Sequence, residues 1–439
     1  MVWIIKICEV GQGRRREKSV FKLGDLCAPI EIERLGVSLE QGKALMAALQ
    51  SAVVEIQAAA LAEHAKLIVR SEPGVALKDY RRRRVQTVYG EVNLRVPRLD
   101  RGGIVEPCTQ WPTNCRSTPE LDTLRTTLSA WMSYRAAEQL LSGLIPLQGG
   151  RHHTTFRNRV LVKGATPEPT RSTDEPVASV SKMTLGLDCT FIRSHDRQKG
   201  RLHEVLIGHI EPNSGSSRVF SSIDEAGPER VSRIKRNLAN AGMTEKTEVT
   251  TFTDGGGGLR ELALRSGATE TPVLDWHHVA QRIQHVRQAA SGLTSSVPDL
   301  PHVTAKIIAE VERLRWRLWH GKPNAVAEAI ENIRPLIKTR RRPTKKRRVQ
   351  RPWSALMAAL YFLRKYTSGQ EAWMINYAQR HRRGERVGTS QTESAANFLV
   401  NKRMNKSQQM RWSAIGASRI LQIRAAVINE DFRRSPKAA

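Results

Sequence analysis

Apolar positions along this chain change period several times, and each change marks an element or a boundary. Residues 1–31 alternate as two short strands around a Gly-Arg turn. From Ser38 to Arg70, Leu45, Leu49, Val53, Ile56 and Leu61 recur about one helical turn apart, which predicts a long helix. The stretch YRRRRVQTVYGEVNLRVPRLD at 80–100 switches to period two around Tyr89-Gly90-Glu91, a hairpin whose second strand closes at Pro97. Residues 119–162 return to helical spacing as PELDTLRTTLSAWM, SYRAAEQLLSGLIP and HHTTFRNRVLV. Ser133 caps the second of these helices, and Pro146 with Gly149-Gly150 breaks it.

A Pro-, Ser- and Thr-rich stretch around TPEPTRSTDEP then interrupts all periodicity. Beyond it SKMTLGLDCTFIRS, RLHEVLIGHIEP and SRVFSSIDE read as three successive strands, VSRIKRNLANAG as a helix and EVTTFTD as a fourth strand. LRELALRSG reads as a short helix and TPVLDWHH as a fifth strand, so the layer is α/β. From Val279 to about Arg383 the chain is helix or basic loop, and VGTSQTESAANFLVNKRM at 387–404 is a helix with Thr389 or Ser390 near its cap. The expected organisation is an N-terminal α+β region with a basic hairpin (1–118), a helix-turn-helix-like region (119–165) and a linker (166–180). An α/β core (181–278 and 387–430) follows, with an all-α insertion (279–386) inside it.

Charge changes this picture from architecture to partner. Seventy-one Lys and Arg face 42 Asp and Glu, a formal charge of +29 over 439 residues. Such a bias favours a polyanion, because each neutralised phosphate releases condensed counterions. The candidate phosphate contacts are Arg81, Arg82, Arg83 and Arg84 before the hairpin turn, and Arg151 and Arg157 in the helical trio. Arg341, Lys345 and Lys346 in the basic run 339–351 complete the set. The five cysteines are scattered and odd in number, which points to a reducing compartment; Cys108 and Cys115 form at most half a zinc site. The N-terminus lacks a signal-peptide cleavage region and no apolar run is expected to span a bilayer, so the protein is placed in the cytoplasm, away from membrane.

The candidate chemistry begins at TFTDGGGGLR, residues 251–260, where four glycines follow Asp254 at the end of a strand. A phosphate-binding loop needs Lys then Ser or Thr after the glycines, and Leu259-Arg260 stand there instead. Asp254 is then either a helix cap or an exposed carboxylate with room beside it for a bulky ligand. Asp188 interrupts the first strand of the layer among Leu185, Leu187, Thr190 and Phe191, where an acid needs a basic partner or a cation. Glu393 sits among Ser394, Ala395 and Ala396 on the late helix, either an ordinary first-turn acid or a third carboxylate packed across the strand ends. Three such acids would hold two divalent ions roughly 4 Å apart for phosphoryl transfer.

The order strand-Asp188, strand-Asp254, helix-Glu393 resembles that of the DDE transposases. LDWHH at 274–278 is similar to the C/D-x-x-H motif of their Mutator-like branch, with Asp275 and His278 in its two positions. TSQTESAANFLVNKRMNKSQQMRWS resembles the segment carrying the last Glu in the Kra-type group of bacterial insertion-sequence transposases. The long stretch between the second and third acids, with its helical insertion, fits that branch, and the resemblance runs from about residue 80 to 425. It implies an RNase H-like catalytic core with an all-α insertion, preceded by an α+β and helical DNA-binding region. Catalysis would rest on Asp188, Asp254 and Glu393 as ligands of Mg²⁺, with Mn²⁺ as substitute, and Asp275 and His278 would orient a catalytic group or steer a strand. The implied partners are the element's terminal inverted repeats and target DNA, bound by a homo-oligomer. A catalytically inactive, transposase-derived sequence-specific DNA-binding protein is the alternative. His277, His278 and His285 suggest zinc but lack a second ligand group and are expected as satisfied core histidines or as supports of a neighbouring ligand, and the tryptophans of the insertion, Trp316, Trp319, Trp353 and Trp373, are expected in its core.

Overall fold

The computed structural model describes residues 2–11, 14–25, 39–109, 116–147, 149, 152–165, 179–196, 198, 200–293, 301–338, 347–388, 390–405 and 410–431. The chain is mixed α/β and divides into two compact units, Met1–Thr166 and Pro167–Ala439.

In the first unit, β1 (Val2–Gly11) and β2 (Arg14–Asp25) form an antiparallel pair. A second sheet, in the order β3-β4-β5, is built from β3 (Val75–Thr87), β4 (Gly90–Arg101) and β5 (Ile104–Pro107). Along β4, Val92, Leu94 and Val96 are buried while Asn93 and Arg95 are exposed, the alternation of a sheet with one covered face. The cover is α1 (Leu39–Ser71), whose Val54, Leu61, Ala65, Ile68 and Val69 pack on that apolar row. Over Leu45–Ser71 this helix is long and apolar enough, by length and composition, to cross a bilayer. The sequence expectation that no apolar run reaches such a length is not met here, since the mean hydropathy over this stretch is 1.5 although Glu55, Glu63 and Lys66 lie within it. Three helices complete the unit: α2 (Pro119–Trp131), α3 (Tyr134–Leu144) and α4 (His153–Lys163). Ser133 caps α3 by accepting from the Ala136 amide at 3.2 Å, and Leu121, Leu141, Leu147 and Phe156 form the shared core.

The second unit is centred on a five-stranded sheet of order β10-β9-β6-β7-β8. Its strands are β6 (Lys182–Arg193), β7 (Leu202–Pro212), β8 (Arg218–Ile223), β9 (Glu248–Thr253) and β10 (Val273–Leu274). The first three form an antiparallel meander; β9 then joins β6 in parallel and β10 joins β9 in parallel. On one face α5 (Gly227–Asn240) and α6 (Gly257–Arg265) bury Ile234, Leu238, Leu259 and Leu262 against Met183, Leu185 and Leu187. Period two puts Gly186 and Asp188 on the other face, where α12 (Ser390–Ala396) packs on β6 and β7. The helix of α12 continues as a π-helical run, Asn397–Asn405, and α13 (Ala414–Ile428) packs on β8.

Between β10 and α12 lies a helical body of α7 (Trp276–Ser291), α8 (Pro301–Trp319), α9 (Ala325–Lys338), α10 (Arg347–Ser368) and α11 (Tyr377–Arg382). Its core joins Val279, Ile283, Val286, Val311, Leu314, Ile333, Leu356 and Leu360. The boundary expected at 278/279 falls inside α7, so one unbroken helix carries the chain from the sheet into this body. Of its tryptophans only Trp353 meets the expectation of a core position in full; Trp316 is 58% exposed and stacks on His320.

Candidate functional site at the strand ends

Register places the acids. Leu187 of β6 pairs with Thr253 of β9, and Thr253 pairs with Leu274 of β10. Asp188, Asp254 and Asp275 each follow directly on one of these three residues, so three parallel strands deliver a carboxylate at the same level. Asp275 ends its strand sooner than expected: β10 stops at Leu274, and Asp275 is the N-cap of α7, its Oδ1 accepting from the His277 amide at 2.7 Å. The DWHH stretch is therefore a cap and first helical turn rather than strand, as a short Asp side chain before an amphipathic run favours. A Cβ on Gly388 would collide with Asp275 Oδ1, so the strap returning to α12 passes this cap with nothing but backbone.

Asp254 is not the cap of α6, a role that falls to Gly256. Its Oδ1 instead accepts from the Gly256 amide at 2.9 Å, within a turn that needs Gly255 at φ +97°. Beside it opens a cleft of about 650 Å³ lined by Cys189, Glu204, Arg230, Gly256, Gly258 and Asp254 itself. The glycines leave this wall low. Cys189 is no nucleophile there: burial pushes its thiol up to about 12, and Glu204 adds to the shift.

Asp188 is the electrostatic centre. Burial raises its carboxyl above the usual range, His278 pulls it down, and so does the Cys189 amide, which donates to Asp188 Oδ1 at 2.8 Å. The charges of Asp254 and Glu393 push it back up. The structure thus brings Asp188, Asp254, Glu393 and His278 into one interacting group. Glu393 is engaged by His277 Nε2 through one carboxylate oxygen, and Gln281 Nε2 lies 3.5 Å from the other. Among the described residues no three His, Cys, Asp or Glu side chains are placed to hold one ion. The donor set nonetheless suits a hard divalent cation, being carboxylate oxygen throughout, and a cation would offset the burial and, to a smaller degree, the neighbouring negative charge that raise Asp188.

Several contributors to the site carry no local signal in the sequence. His277, expected as a satisfied histidine rather than a zinc ligand, has Glu393 as its partner. Tyr366 donates to the Asp254 carbonyl at 2.8 Å, and Gln370 Nε2 donates to the Gly255 carbonyl at 2.9 Å. Both come from the far end of the helical body, more than a hundred positions along the chain.

The expected phosphate contacts divide by face. Opposite residues on an antiparallel ladder share a face, so Arg82 (against Arg95) and Arg84 (against Asn93) stand on the open side of the ribbon, and Arg81 and Arg83 on the α1 side. Four consecutive arginines therefore cannot form one row. The open row is Tyr80, Arg82 and Arg84 with Arg95, whose guanidinium lies 5.0 Å from the Tyr80 ring centroid. Arg84 also pairs with Glu91 at 2.9 Å. Arg157 is exposed on α4. Arg151, Arg341, Lys345, Lys346 and Cys115 lie outside the described residues. No family model and no curated protein sequence matches the chain.

Proposed function

We propose that this protein is a cytoplasmic DNA transposase with an RNase H-like catalytic core, which binds the ends of its element and performs metal-dependent cleavage and strand transfer. The observation that carries the reading is the level placement of Asp188 and Asp254 one residue beyond the paired Leu187 and Thr253, with the charge of Glu393 acting on Asp188. The meander-plus-two-parallel-strands order, β8-β7-β6-β9-β10, supports the fold assignment. The net charge of +29 and the arginine row of the ribbon support duplex DNA as substrate.

Asp188, Asp254 and Glu393 would hold two divalent ions, Mg²⁺ or Mn²⁺, which supply charge neutralisation at the attacking and leaving oxygens. Asp188 must lose its proton to serve, and His278 favours that loss. Asp275 caps α7 and so sets the first turn that carries His277 and His278. Glu393 has to leave His277 for the ligand set to close. The low glycine wall beside Asp254 would admit a sugar–phosphate backbone. A homo-oligomer on paired ends is part of the same reading.

One observation favours a rival: Glu393 is tied to His277 and so withheld from an ion, which fits a catalytically inactive, transposase-derived sequence-specific DNA-binding protein. Cleavage of labelled end duplex in Mg²⁺ and Mn²⁺ separates the two. Replacing any one of Asp188, Asp254 or Glu393 by Ala should remove nearly all cleavage, with non-additive losses and intact end binding. Robust cutting by Glu393→Ala would take Glu393 out of the site. Tight end binding by an inert wild type in both metals would establish the rival.

A further inference from the structure

A run of four glycines is a poor platform for a catalytic carboxylate, because glycine has the widest backbone freedom of any residue. Asp254 stands at the head of such a run, and its own hydrogen bond to Gly256 lies within the same mobile-by-composition loop. Something outside the loop has to fix it. Two side chains reach it from the end of the helical body. The Tyr366 hydroxyl, in the last turn of α10, donates to the backbone carbonyl of Asp254 at 2.8 Å. The Gln370 amide, just past that helix, donates to the next carbonyl, that of Gly255, at 2.9 Å.

Each of these is itself held. The Arg282 guanidinium of α7 lies 4.0 Å from the Tyr366 ring centroid. Gln370 accepts from Arg260 of α6, whose guanidinium lies 4.4 Å over the Trp373 ring. A Cβ on Gly255 would meet the Gln370 side-chain carbon at 2.9 Å, so the glycine permits the close approach as well as the positive φ. Thus α6, α7 and the end of α10 converge on two consecutive carbonyls.

We propose that Tyr366 and Gln370 are positioning residues for the Asp254 carboxylate, so that divalent-ion binding at the strand ends depends on the helical body. This rests on the reading of Asp254 as an ion ligand. The body is then a working part of the site rather than an accessory inserted between its second and third acids. Neither residue touches substrate or ion; both act through the backbone of the loop.

The test uses the full chain and Mn²⁺ alone, with free ion followed by electron paramagnetic resonance. Tyr366→Phe removes one hydroxyl and keeps the ring; Gln370→Met keeps the length and removes the donor. Each should weaken Mn²⁺ binding about tenfold, the usual loss when a group that orients a ligand is removed. Cleavage by both variants should recover as Mn²⁺ is raised, whereas Asp254→Ala should not recover. A packing role alone would lower the melting temperature and leave Mn²⁺ affinity of the folded protein unchanged. Wild-type Mn²⁺ affinity in folded Tyr366→Phe and Gln370→Met, with loss in Asp254→Ala, overturns the positioning role and leaves the ion site standing. If Asp254→Ala binds Mn²⁺ as wild type does, the ion reading falls and takes this one with it. Should Tyr366→Phe fail to fold, Gln370→Met decides the question on the same readout.

Discussion

The ribbon of the first unit and the sheet of the second treat charge in opposite ways. On β4 buried and exposed positions alternate, and the exposed row, shared with β3, is rich in arginine. On β8 all six residues are buried, and β7 is buried almost from end to end. A ribbon covered by one helix has a wet face on which charge is free to accumulate. A sheet covered on both faces has none, and its acid cluster gathers where the parallel pairing of β6, β9 and β10 ends. The difference teaches where to look for each kind of charge: an arginine row on the wet side of an open ribbon, an acid cluster where the parallel pairing of a closed sheet ends.

If that contrast is right, substitutions should cost most stability in the sheet and least on the ribbon. Gly208 of β7 has the Phe220 ring of β8 lying where its Cβ would be, so Gly208→Ala should destabilise the second unit by about 2–3 kcal/mol. Denaturant unfolding reads this, and wild-type stability would show that the ring has room to move.

A smaller loss should come from acid. His209, on the same strand, is buried, and its imidazole is pushed down to about 4 by burial and by Arg386. Its folded value lies below the unfolded value of about 6.5. The unfolded chain therefore binds the extra proton first, and stability falls as pH drops below about 6.5, by about 2 kcal/mol at pH 5. Unfolding curves at pH 7 and pH 5 should converge in His209→Gln; an equal fall in both proteins would assign the acid sensitivity elsewhere.

The smallest stability effect belongs to the ribbon. Arg82→Gln with Arg84→Gln should change stability by less than about 0.5 kcal/mol, since both arginines are exposed and the mostly covered Glu91 keeps its hydrogen bond from Gln86. The same double change should lower the slope of log affinity against log salt for duplex DNA by about 2. An unchanged slope would remove this row from any DNA interface.

What could be read from the chain beforehand follows the same division. The ribbon announced itself, because period two with a Tyr-Gly turn is a local pattern, and the turn lies between Thr87 and Gly90 as expected. The strands bearing Asp188 and Asp254 were visible for the same reason. Their common level was not, because it depends on Leu187 pairing with Thr253, a register set by packing across the whole layer. Asp275 was misplaced on a strand although Asp before Trp-His-His is a capping signal; the apolar Val273-Leu274 before it outweighed the cap. Tyr366 and Gln370 were invisible, since nothing in a helix end predicts which distant carbonyl its side chains will meet. The π-helical run after Glu393 was read as ordinary helix, because its sequence carries no signal distinguishing i→i+5 from i→i+4 bonding.

That run also governs when, during synthesis, the protein can be complete. Arg424 of α13 donates through Nε to the Leu399 carbonyl at 2.7 Å and also bonds the Phe398 carbonyl, so the segment carrying on from Glu393 is fastened by a helix made after it. Asn429, just beyond α13, bonds both backbone groups of Val219 at 2.8 and 2.9 Å and finishes the outer strand of the sheet. Chains emerge N-terminus first, and domains fold as units in that order. The arginine ribbon and its helices are therefore finished while the acid cluster still lacks its third member. Under the proposed function, a product interrupted before α12 would keep the first unit's arginine row without the third acid, and would compete with the finished protein for the same DNA.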